Sequence, residues 1–226
     1  MKTTPIAYAL SFAAMLAVSP LQAGWHAGNA GASETRDSDW RVITELSDAE
    51  AATLVFMREE EKLARDVYIT LFDAWENPVF ENISGSEQRH MDSMKAQLDN
   101  FGLADPVQDD GIGVFMNTEL ATQYQELTEK GLASLENALY AGAFIEELDI
   151  RDLKDAIEAS NHATVTAAYE NLMRGSRNHL RAFVGQIERL GIVYEAQLMS
   201  QEEVDEIIDS AVERGGKGRG RARGGR

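Results

Sequence analysis

The chain has 226 residues, a formal net charge of −17 and no cysteine. This length is enough for one well-buried domain of ordinary size. The absence of cysteine excludes disulfides, iron–sulfur clusters, thiol catalysis and cysteine-ligated zinc within the chain. With only four prolines, and with β-branched residues seldom adjacent, the composition favours an all-helical domain. The acidic balance gives either a solvated surface or a negative field that attracts cations.

The N-terminal residues have the pattern of a targeting segment. Lys2 supplies a positive charge, residues 6–18 form an apolar stretch, and Ala23 ends a sequence that resembles a cleavage region. The apolar stretch is too short for a standard membrane-spanning helix. We therefore predict a signal peptide over residues 1–23 and an exported protein, most simply one of a bacterial periplasm. Residues 24–45 are rich in Gly, Ala, Ser and Asn and are predicted to be a flexible lead-in.

Helical periodicity dominates the chain that follows. Capping boxes at Ser47–Glu50 and Ser200–Glu203 mark the starts of the first and last helices, and Asn77-Pro78 interrupts the pattern between the first and the second. The spacing of apolar residues predicts helices at about 48–74, 85–101, 118–130, 134–159, 160–190 and 200–214.

Two other segments do not fit a helix. The loop at residues 105–113 contains Asp109-Asp110-Gly111 but lacks the ligand spacing of an EF-hand calcium site. Residues 213–226 are basic and rich in glycine, and we predict a disordered tail there. Such a tail suits contact with a polyanion, such as anionic lipid or the acidic surface of the protein itself, and does not indicate a specific nucleic-acid site.

Four of the predicted helices carry polar side chains within an otherwise apolar stripe. These side chains are Glu61, the pair Glu87 and His90, Glu146, and the pair Ser176 and His179. Residues three apart lie on the same face of a helix, so each pair points in one direction. A buried carboxylate without a partner is costly, so each Glu in these stripes needs one.

Local interactions offer one explanation for these side chains. Ser84 and Glu87 fit a capping box, in which Glu87 folds back on the start of its own helix. Arg65 lies one turn after Glu61 and suits an ion pair with it. The neighbours Glu59 and Glu60 fall on other faces of the first helix, where we expect them to be solvated. We expect Glu147 to be exposed or to lie outside the ring of ligands.

A shared metal site offers the other explanation. A dinuclear carboxylate site takes one Glu from each of two helices and a Glu-x-x-His pair from each of two others. Carboxylates neutralise and bridge two cations, and each imidazole adds one nitrogen ligand. This ligand chemistry favours iron or manganese over copper or a structural zinc.

The first predicted helix contains a sequence pattern that resembles a known family. The segment Glu61-Lys62-Leu63-Ala64-Arg65-Asp66-Val67-Tyr68 resembles the Glu-x-x-Ala-Arg-x-x-Tyr pattern in the first helix of rubrerythrins. Together with Glu87-x-x-His90, it makes residues 46–200 similar to the ferritin-like superfamily. Longer signatures at 57–68, 145–150 and 175–180 resemble a largely uncharacterised bacterial and archaeal branch, a domain of unknown function. The resemblance implies an all-α fold over residues 46–212, a ferritin-like antiparallel four-helix bundle with extra short helices.

The resemblance also implies a set of metal ligands, which are Glu61, Glu87, His90, Glu146 and His179. It implies two iron ions, or two manganese ions, as the cofactor. Ser176 departs from the family pattern, which has a carboxylate at this position. A neutral hydroxyl supplies no charge, so the site is asymmetric, holds one ion, completes its shell with water, or has lost its metal.

Three functions are open on this basis. In the first, two ferrous ions react with oxygen or peroxide in an oxidase or peroxidase-type reaction, with supporting roles for Arg65, Tyr68, Arg89 or Tyr169. In the second, the bundle binds a metal ion or a partner without turnover, which Ser176 favours. In the third, the bundle is structural, and its polar core pairs with arginines such as Arg65, Arg174 and Arg177. A homodimer is compatible with each of them.

Overall fold

The structure is a computed structural model that describes residues 45–215. These residues form six α-helices and no β-strand, which confirms the all-helical class: α1 (Asp48–Trp75), α2 (Pro78–Phe101), α3 (Thr118–Leu132), α4 (Leu135–Ala159), α5 (Ala163–Arg189) and α6 (Gln201–Asp209). The predicted signal peptide, the lead-in up to residue 44 and the tail from residue 216 lie outside the described residues. Between residues 45 and 215, no helix is both long and apolar enough to cross a membrane.

Side-chain caps fix where five of the six described helices begin, and α5 is the exception. Capping boxes at Ser47 and Ser200 start α1 and α6, as the sequence predicts. Helix α2 begins at Pro78, well before residue 85, because Asn77 caps it and proline is favourable where no amide hydrogen is needed. The predicted capping box at Ser84 is therefore wrong. Ser84 lies inside α2, and its hydroxyl donates to the carbonyl of Glu81 at 3.0 Å.

The helices pack into a bundle with a continuous apolar interior. Helix α1 packs against α2, α3 and α4, and α5 packs against α4, α2 and α6. The rings of Tyr68, Phe80 and Phe183 meet in this interior, with centroids 5.2–6.3 Å apart. Gly142 lets α4 approach Phe183, because a Cβ at residue 142 would lie 2.5 Å from the Phe183 ring. Helices α1, α2, α4 and α5 thus line one common interior.

The segment between α2 and α3 is held against α1 by buried charges. Glu59 is only 4% exposed, so its predicted solvation is wrong. Its carboxylate accepts hydrogen bonds from the backbone amides of Met116 and Asn117 at 2.6 and 3.1 Å. Lys62, which is fully buried, pairs with Asp66 and donates to the carbonyl of Gly111 at 2.7 Å. These contacts explain how α1 can bury Glu59 and Lys62, because the segment between α2 and α3 supplies their partners.

The side chain of Arg65 belongs to the same contact region. Its guanidinium pairs with Asp66 and with Asp110, each at 2.8 Å, and donates to the side chain of Gln88 at 2.6 Å. The predicted ion pair between Arg65 and Glu61 is therefore wrong. Glu61 must find its partner elsewhere.

A second buried carboxylate holds the segment between α5 and α6. Glu147 is fully buried, so the exposed position considered for it is wrong. It accepts hydrogen bonds from the hydroxyl of Tyr194 at 2.6 Å and from the amides of Gln197, Leu198 and Met199 at 2.6–3.0 Å. A carboxylate that accepts several backbone amides fixes the path of the chain around it.

We predict that Glu147→Ala lowers the free energy of unfolding by about 2–4 kcal/mol, because it leaves several buried donors without an acceptor. Urea unfolding of the metal-free full chain measures this loss. Glu136→Ala, at an exposed position of the same helix, is the control and should change stability little. Equal stabilities of the two variants would contradict the role assigned to Glu147.

Candidate metal centre

Four helices bring the five predicted ligands together in the bundle interior. Glu61 comes from α1, Glu87 and His90 from α2, Glu146 from α4, and His179 from α5. Two sets of three residues offer ligand atoms within 4.8 Å of one another. One set is Glu61, Glu87 and His90, and the other is Glu87, Glu146 and His179. Glu87 belongs to both sets, so the arrangement has two adjacent ligand groups joined by one carboxylate.

Glu87 faces a different imidazole with each of its oxygens. Its Oε2 lies 2.6 Å from His90 Nδ1, and its Oε1 lies 2.7 Å from His179 Nδ1. His90 Nδ1 also contacts Glu61 Oε2 at 3.1 Å, and His179 Nδ1 lies 3.4 Å from Glu146 Oε2. The two rings lie face to face with centroids 5.6 Å apart. The same nitrogen of each histidine therefore faces the carboxylates.

Several atoms of the cluster lack a hydrogen-bond partner although they lie close together. Among residues 45–215, no hydrogen-bond partner with suitable geometry exists for Glu61 Oε1, both oxygens of Glu87, Glu146 Oε2 or His179 Nδ1. Both oxygens of Glu87 nevertheless lie within 2.7 Å of a histidine nitrogen. The atoms are therefore close together but are not aligned as hydrogen-bond donor and acceptor. Buried carboxylates without partners are unfavourable, and divalent cations would compensate them.

Burial and mutual contacts shift the acid–base properties of the metal-free cluster. Burial raises the pKa of Glu61 to about 8, and His90 beside it offsets only part of that effect. Burial also acts on Glu87, but the imidazoles of His179 and His90 outweigh it and hold the pKa of Glu87 below its ordinary value. For His179, the carboxylates of Glu87 and Glu146 outweigh burial and raise its pKa to about 10. Protons therefore balance the charge of the metal-free cluster, and any cation that bound there would have to displace them.

Ser176 does not act as a replacement ligand. Its side chain is fully buried, and its hydroxyl donates to the carbonyl of Leu172 in the preceding turn at 3.2 Å. The second ligand set therefore contains one carboxylate fewer than the resemblance implies. Tyr68 supports this set from α1, because its hydroxyl donates to Glu146 Oε1 at 2.5 Å. Burial and the charge of Glu146 hold the pKa of Tyr68 well above its ordinary value, so the phenol stays a donor.

Comparison with known proteins places the chain in a family. The family described as "Uncharacterized protein domain (DUF2202)" matches residues 50–211, a range that contains all five residues. The chain belongs to the DUF2202 family. It is 49% identical over 170 residues to "Uncharacterized protein MJ0754" of Methanocaldococcus jannaschii, which covers 75% of this chain and 92% of that relative.

A solved structure gives the DUF2202 chain an experimental counterpart. It is the crystal structure of hypothetical protein MJ0754 from Methanococcus jannaschii DSM 2661, which matches with a TM-score of 0.73 and 45% sequence identity. The match covers 80% of this chain and 100% of that chain. At this identity, the two proteins share their fold throughout the archaeal chain.

Within residues 45–215, the three arginines proposed to fill the centre of this DUF2202 domain pair elsewhere. Arg65 pairs with Asp66 and Asp110, Arg177 pairs with Glu213, and Arg174 donates to Asn171. The interpretation in which these arginines neutralise the polar core is therefore wrong. Neither Arg89 nor Tyr169 donates a hydrogen bond to the five residues among the described part of the chain. Arg89 is exposed and donates to the carbonyl of Gly85, and the buried hydroxyl of Tyr169 has no hydrogen-bond partner among the described residues.

The sequence did not reveal three other acidic residues of the DUF2202 interior. Glu60, Asp149 and Asp152 are 1%, 2% and 4% exposed. The spacing of Glu146 and Asp149 was a usable signal, because it is the same three-residue step as in Glu87 and His90. The predicted solvation of Glu60 is also wrong, and its position between Glu59 and Glu61, in a run typical of a solvated surface, gave no signal of burial.

Gly175 makes room for His90. A Cβ at residue 175 would lie 2.5 Å from both Cε1 and Nε2 of the His90 ring, closer than atoms can approach. The ring is rigid and its Nδ1 is already in contact with Glu61 and Glu87, so a methyl group would displace the ligand. Gly185 lies on the same helix and has no atom within 4 Å of its Cβ position, which makes it a matched control.

We predict that Gly175→Ala and Gly185→Ala have opposite effects on the metal-free protein. Gly175→Ala should lower the free energy of unfolding by about 1–3 kcal/mol through overpacking against His90. Gly185→Ala should raise it by about 0.5–1 kcal/mol, since alanine loses less conformational entropy in a helix. Urea unfolding with chelator present measures both. A stabilising Gly175→Ala would contradict the position assigned to His90.

Proposed function

We propose that this DUF2202 protein is an exported, ferritin-like metalloprotein with a dinuclear iron or manganese centre and oxidase or peroxidase-type redox chemistry. The ligands would be Glu61, Glu87, His90, Glu146 and His179. The observation that carries the proposal is the position of Glu87, whose two oxygens face two imidazoles and which belongs to both ligand sets. A carboxylate in this position can bridge two cations.

The ferritin-like part of the proposal rests on where the ligands come from. One Glu on α1 and one Glu on α4 face a Glu-x-x-His pair on α2, all directed into a helical bundle. That distribution is typical of dinuclear carboxylate bundles. The fourth helix, α5, supplies His179 but has Ser176 in place of the second Glu. Export is supported by the N-terminal sequence pattern alone.

Bound ferrous ions would supply the electrons that reduce oxygen or peroxide. The chain would fix the ligands, since Tyr68 holds Glu146 and Gly175 leaves room for His90. The carboxylates are at most 1% exposed, whereas the side chains of His90 and His179 are 12% and 11% exposed. A small oxidant would therefore approach from the histidine side. The 226 residues contain no cysteine and therefore no rubredoxin-type iron site.

A metal-binding protein without turnover is the second candidate. Ser176 favours it, because its hydroxyl turns to the carbonyl of Leu172 and adds no negative charge. Three carboxylates carry less charge than two divalent cations, so an oxidised pair of ions would be compensated less well. Both candidates require the same ligands and differ in what happens after metal binds.

We predict that the full chain, purified without chelator and incubated anaerobically with Fe²⁺, retains about two ions per chain. Glu87→Gln should retain about half an ion or fewer, because the substitution removes the charge shared by both ligand sets. Glu61→Ala and His179→Ala should each lose one ion, one from each set. Metal analysis after desalting measures the content. Glu81→Gln, at an exposed position of the same helix, is the control and should retain both ions.

Exposure of the loaded protein to oxygen or hydrogen peroxide then separates the two candidates. If oxygen or peroxide oxidises Fe²⁺ faster in the presence of the wild-type chain than with Glu87→Gln or with no protein, the redox function is supported. Bound Fe²⁺ that oxidises no faster than free Fe²⁺ supports binding without turnover. Equal metal content in wild type, Glu87→Gln and Glu81→Gln contradicts both candidates.

A further inference from the structure

A surface cleft lies between α4, α5 and the segment that follows α6. It has a volume of about 450 Å³, which is large enough for a small organic molecule. Its lining residues are Lys154 and Ile157 from α4, Glu170, Met173, Arg174 and Arg177 from α5, and Glu213 from the segment after α6. None of the five candidate metal ligands lines it. The cleft is therefore a different site from the candidate metal centre.

Basic side chains are concentrated in this cleft, although the chain as a whole has a formal net charge of −17. Three of the lining residues are basic, namely Lys154, Arg174 and Arg177, and they come from two neighbouring helices. Most of the surface of an acidic protein repels anions, and a local group of cations attracts them. The charge of the lining therefore favours an anionic ligand.

One carboxylate of the protein is already bound at the end of the cleft. Glu213 accepts two hydrogen bonds from the guanidinium of Arg177, at 2.7 and 2.6 Å, and Arg181 contacts the same carboxylate at 3.1 Å. Paired hydrogen bonds of this kind are the strongest contacts that arginine makes with a carboxylate. Arg177 is therefore committed to Glu213, and the pair forms a fixed end of the cleft.

Arg174 and Lys154 remain available for an external anion. Within residues 45–215, no ion pair joins Arg174 to a carboxylate, and its guanidinium donates to the neutral side chain of Asn171 at 2.6 Å. Lys154 contacts Glu203 at 3.3 Å, but these side chains are 68% and 46% exposed, so water screens the pair. An anion between Arg174 and Lys154 would give each cation a stronger partner than it has now.

The cleft also has an apolar part. Ile157 and Met173 line it, and Met173 is 7% exposed. A hydrocarbon group placed against these side chains is removed from water, which favours binding. Glu170 lines the cleft too and is exposed, and its negative charge opposes an anion. The lining therefore fits a ligand with one anionic group and one apolar group.

We propose that this cleft binds a small organic anion, a carboxylate or a phosphate monoester that carries a short hydrocarbon chain. Arg174 and Lys154 bind the charged group, and Ile157 and Met173 contact the hydrocarbon chain. Carboxylate and phosphate share the chemistry that guanidinium and ammonium groups recognise. The site does not require a metal ion at Glu87, so it holds or fails independently of the proposed function.

The test titrates hexyl phosphate, hexanoate and inorganic phosphate into the full chain with ¹³C-labelled methionine methyl groups. The methyl resonance of Met173, assigned with Met173→Leu, reports occupancy of the cleft. That of Met116, which is 69% exposed in the segment before α3, reports non-specific contact. We expect at least one alkyl anion to shift the Met173 resonance in a saturable manner and to leave Met116 unchanged. Inorganic phosphate should bind about tenfold more weakly, because it has no hydrocarbon chain.

Substitutions at the rim test how the charge is recognised. Arg174→Gln should weaken binding about tenfold, because it removes the guanidinium that lacks an ionic partner. Glu170→Gln should strengthen binding about threefold, because it removes a like charge, and a merely structural role would not produce this gain. Arg89→Gln, at an exposed position of α2, is the control and should change neither. Lys154→Gln, also at an exposed position, replaces Arg174→Gln if that variant does not fold.

Three results would overturn the proposal. An unchanged Met173 resonance at about 10 mM of each alkyl anion would show that the cleft does not bind them. Equal affinities of the wild-type chain, Arg174→Gln and Arg89→Gln would show that the basic group does not recognise the anion. Equal affinities for hexyl phosphate and inorganic phosphate would show that Ile157 and Met173 do not contact a hydrocarbon chain.

Discussion

The structure depends most on a carboxylate that is buried between two imidazoles. Glu87 is fully buried, and each of its oxygens lies within 2.7 Å of a histidine nitrogen from a different helix. A charge in this position is tolerated only when opposite charge surrounds it. His90 and His179 provide that charge as imidazolium groups, or two cations provide it when the imidazoles are neutral ligands. Glu61 and Glu146 then complete two sets of ligands around the same carboxylate.

Helix α1 connects this centre with the rest of the molecule. Its run of charged residues resembles a solvated surface, yet each member is buried and faces a different part of the molecule. Glu59 and Lys62 hold the segment before α3, Glu60 faces α4, and Glu61 enters the centre. Because successive residues are rotated by about 100°, one helix can serve the loop before α3, the interface with α4 and the cluster around Glu87 at once. A change at one of these positions therefore affects only one of the three regions directly.

Sequence patterns predicted the helices, because these depend on spacing along the chain, and the family resemblance grouped the five candidate ligands from four helices. The Glu87–His90 step and the isolated carboxylates Glu61 and Glu146 stand out against apolar stripes. The burial of Glu59 and Glu60 could not be predicted in this way, since it depends on which loop or helix covers the other faces of α1. The predicted start of α2 was wrong because Ser84 resembles a helix cap. The true cap, Asn77, was missed because the proline that follows it can end one helix as well as begin the next. The room that Gly175 leaves for His90 is a contact between two helices, and no local pattern encodes it.

The central claim is that Glu87 joins two cation positions. Crystals of the full chain grown with Mn²⁺, with diffraction data collected at the manganese absorption edge, test it most directly. The account predicts two strong anomalous peaks on either side of the Glu87 carboxylate, one beside Glu61 and His90 and the other beside Glu146 and His179. The absence of any peak beside Glu87, with the imidazoles still in hydrogen-bonding contact with its oxygens, would contradict it and leave a polar core held together by protons.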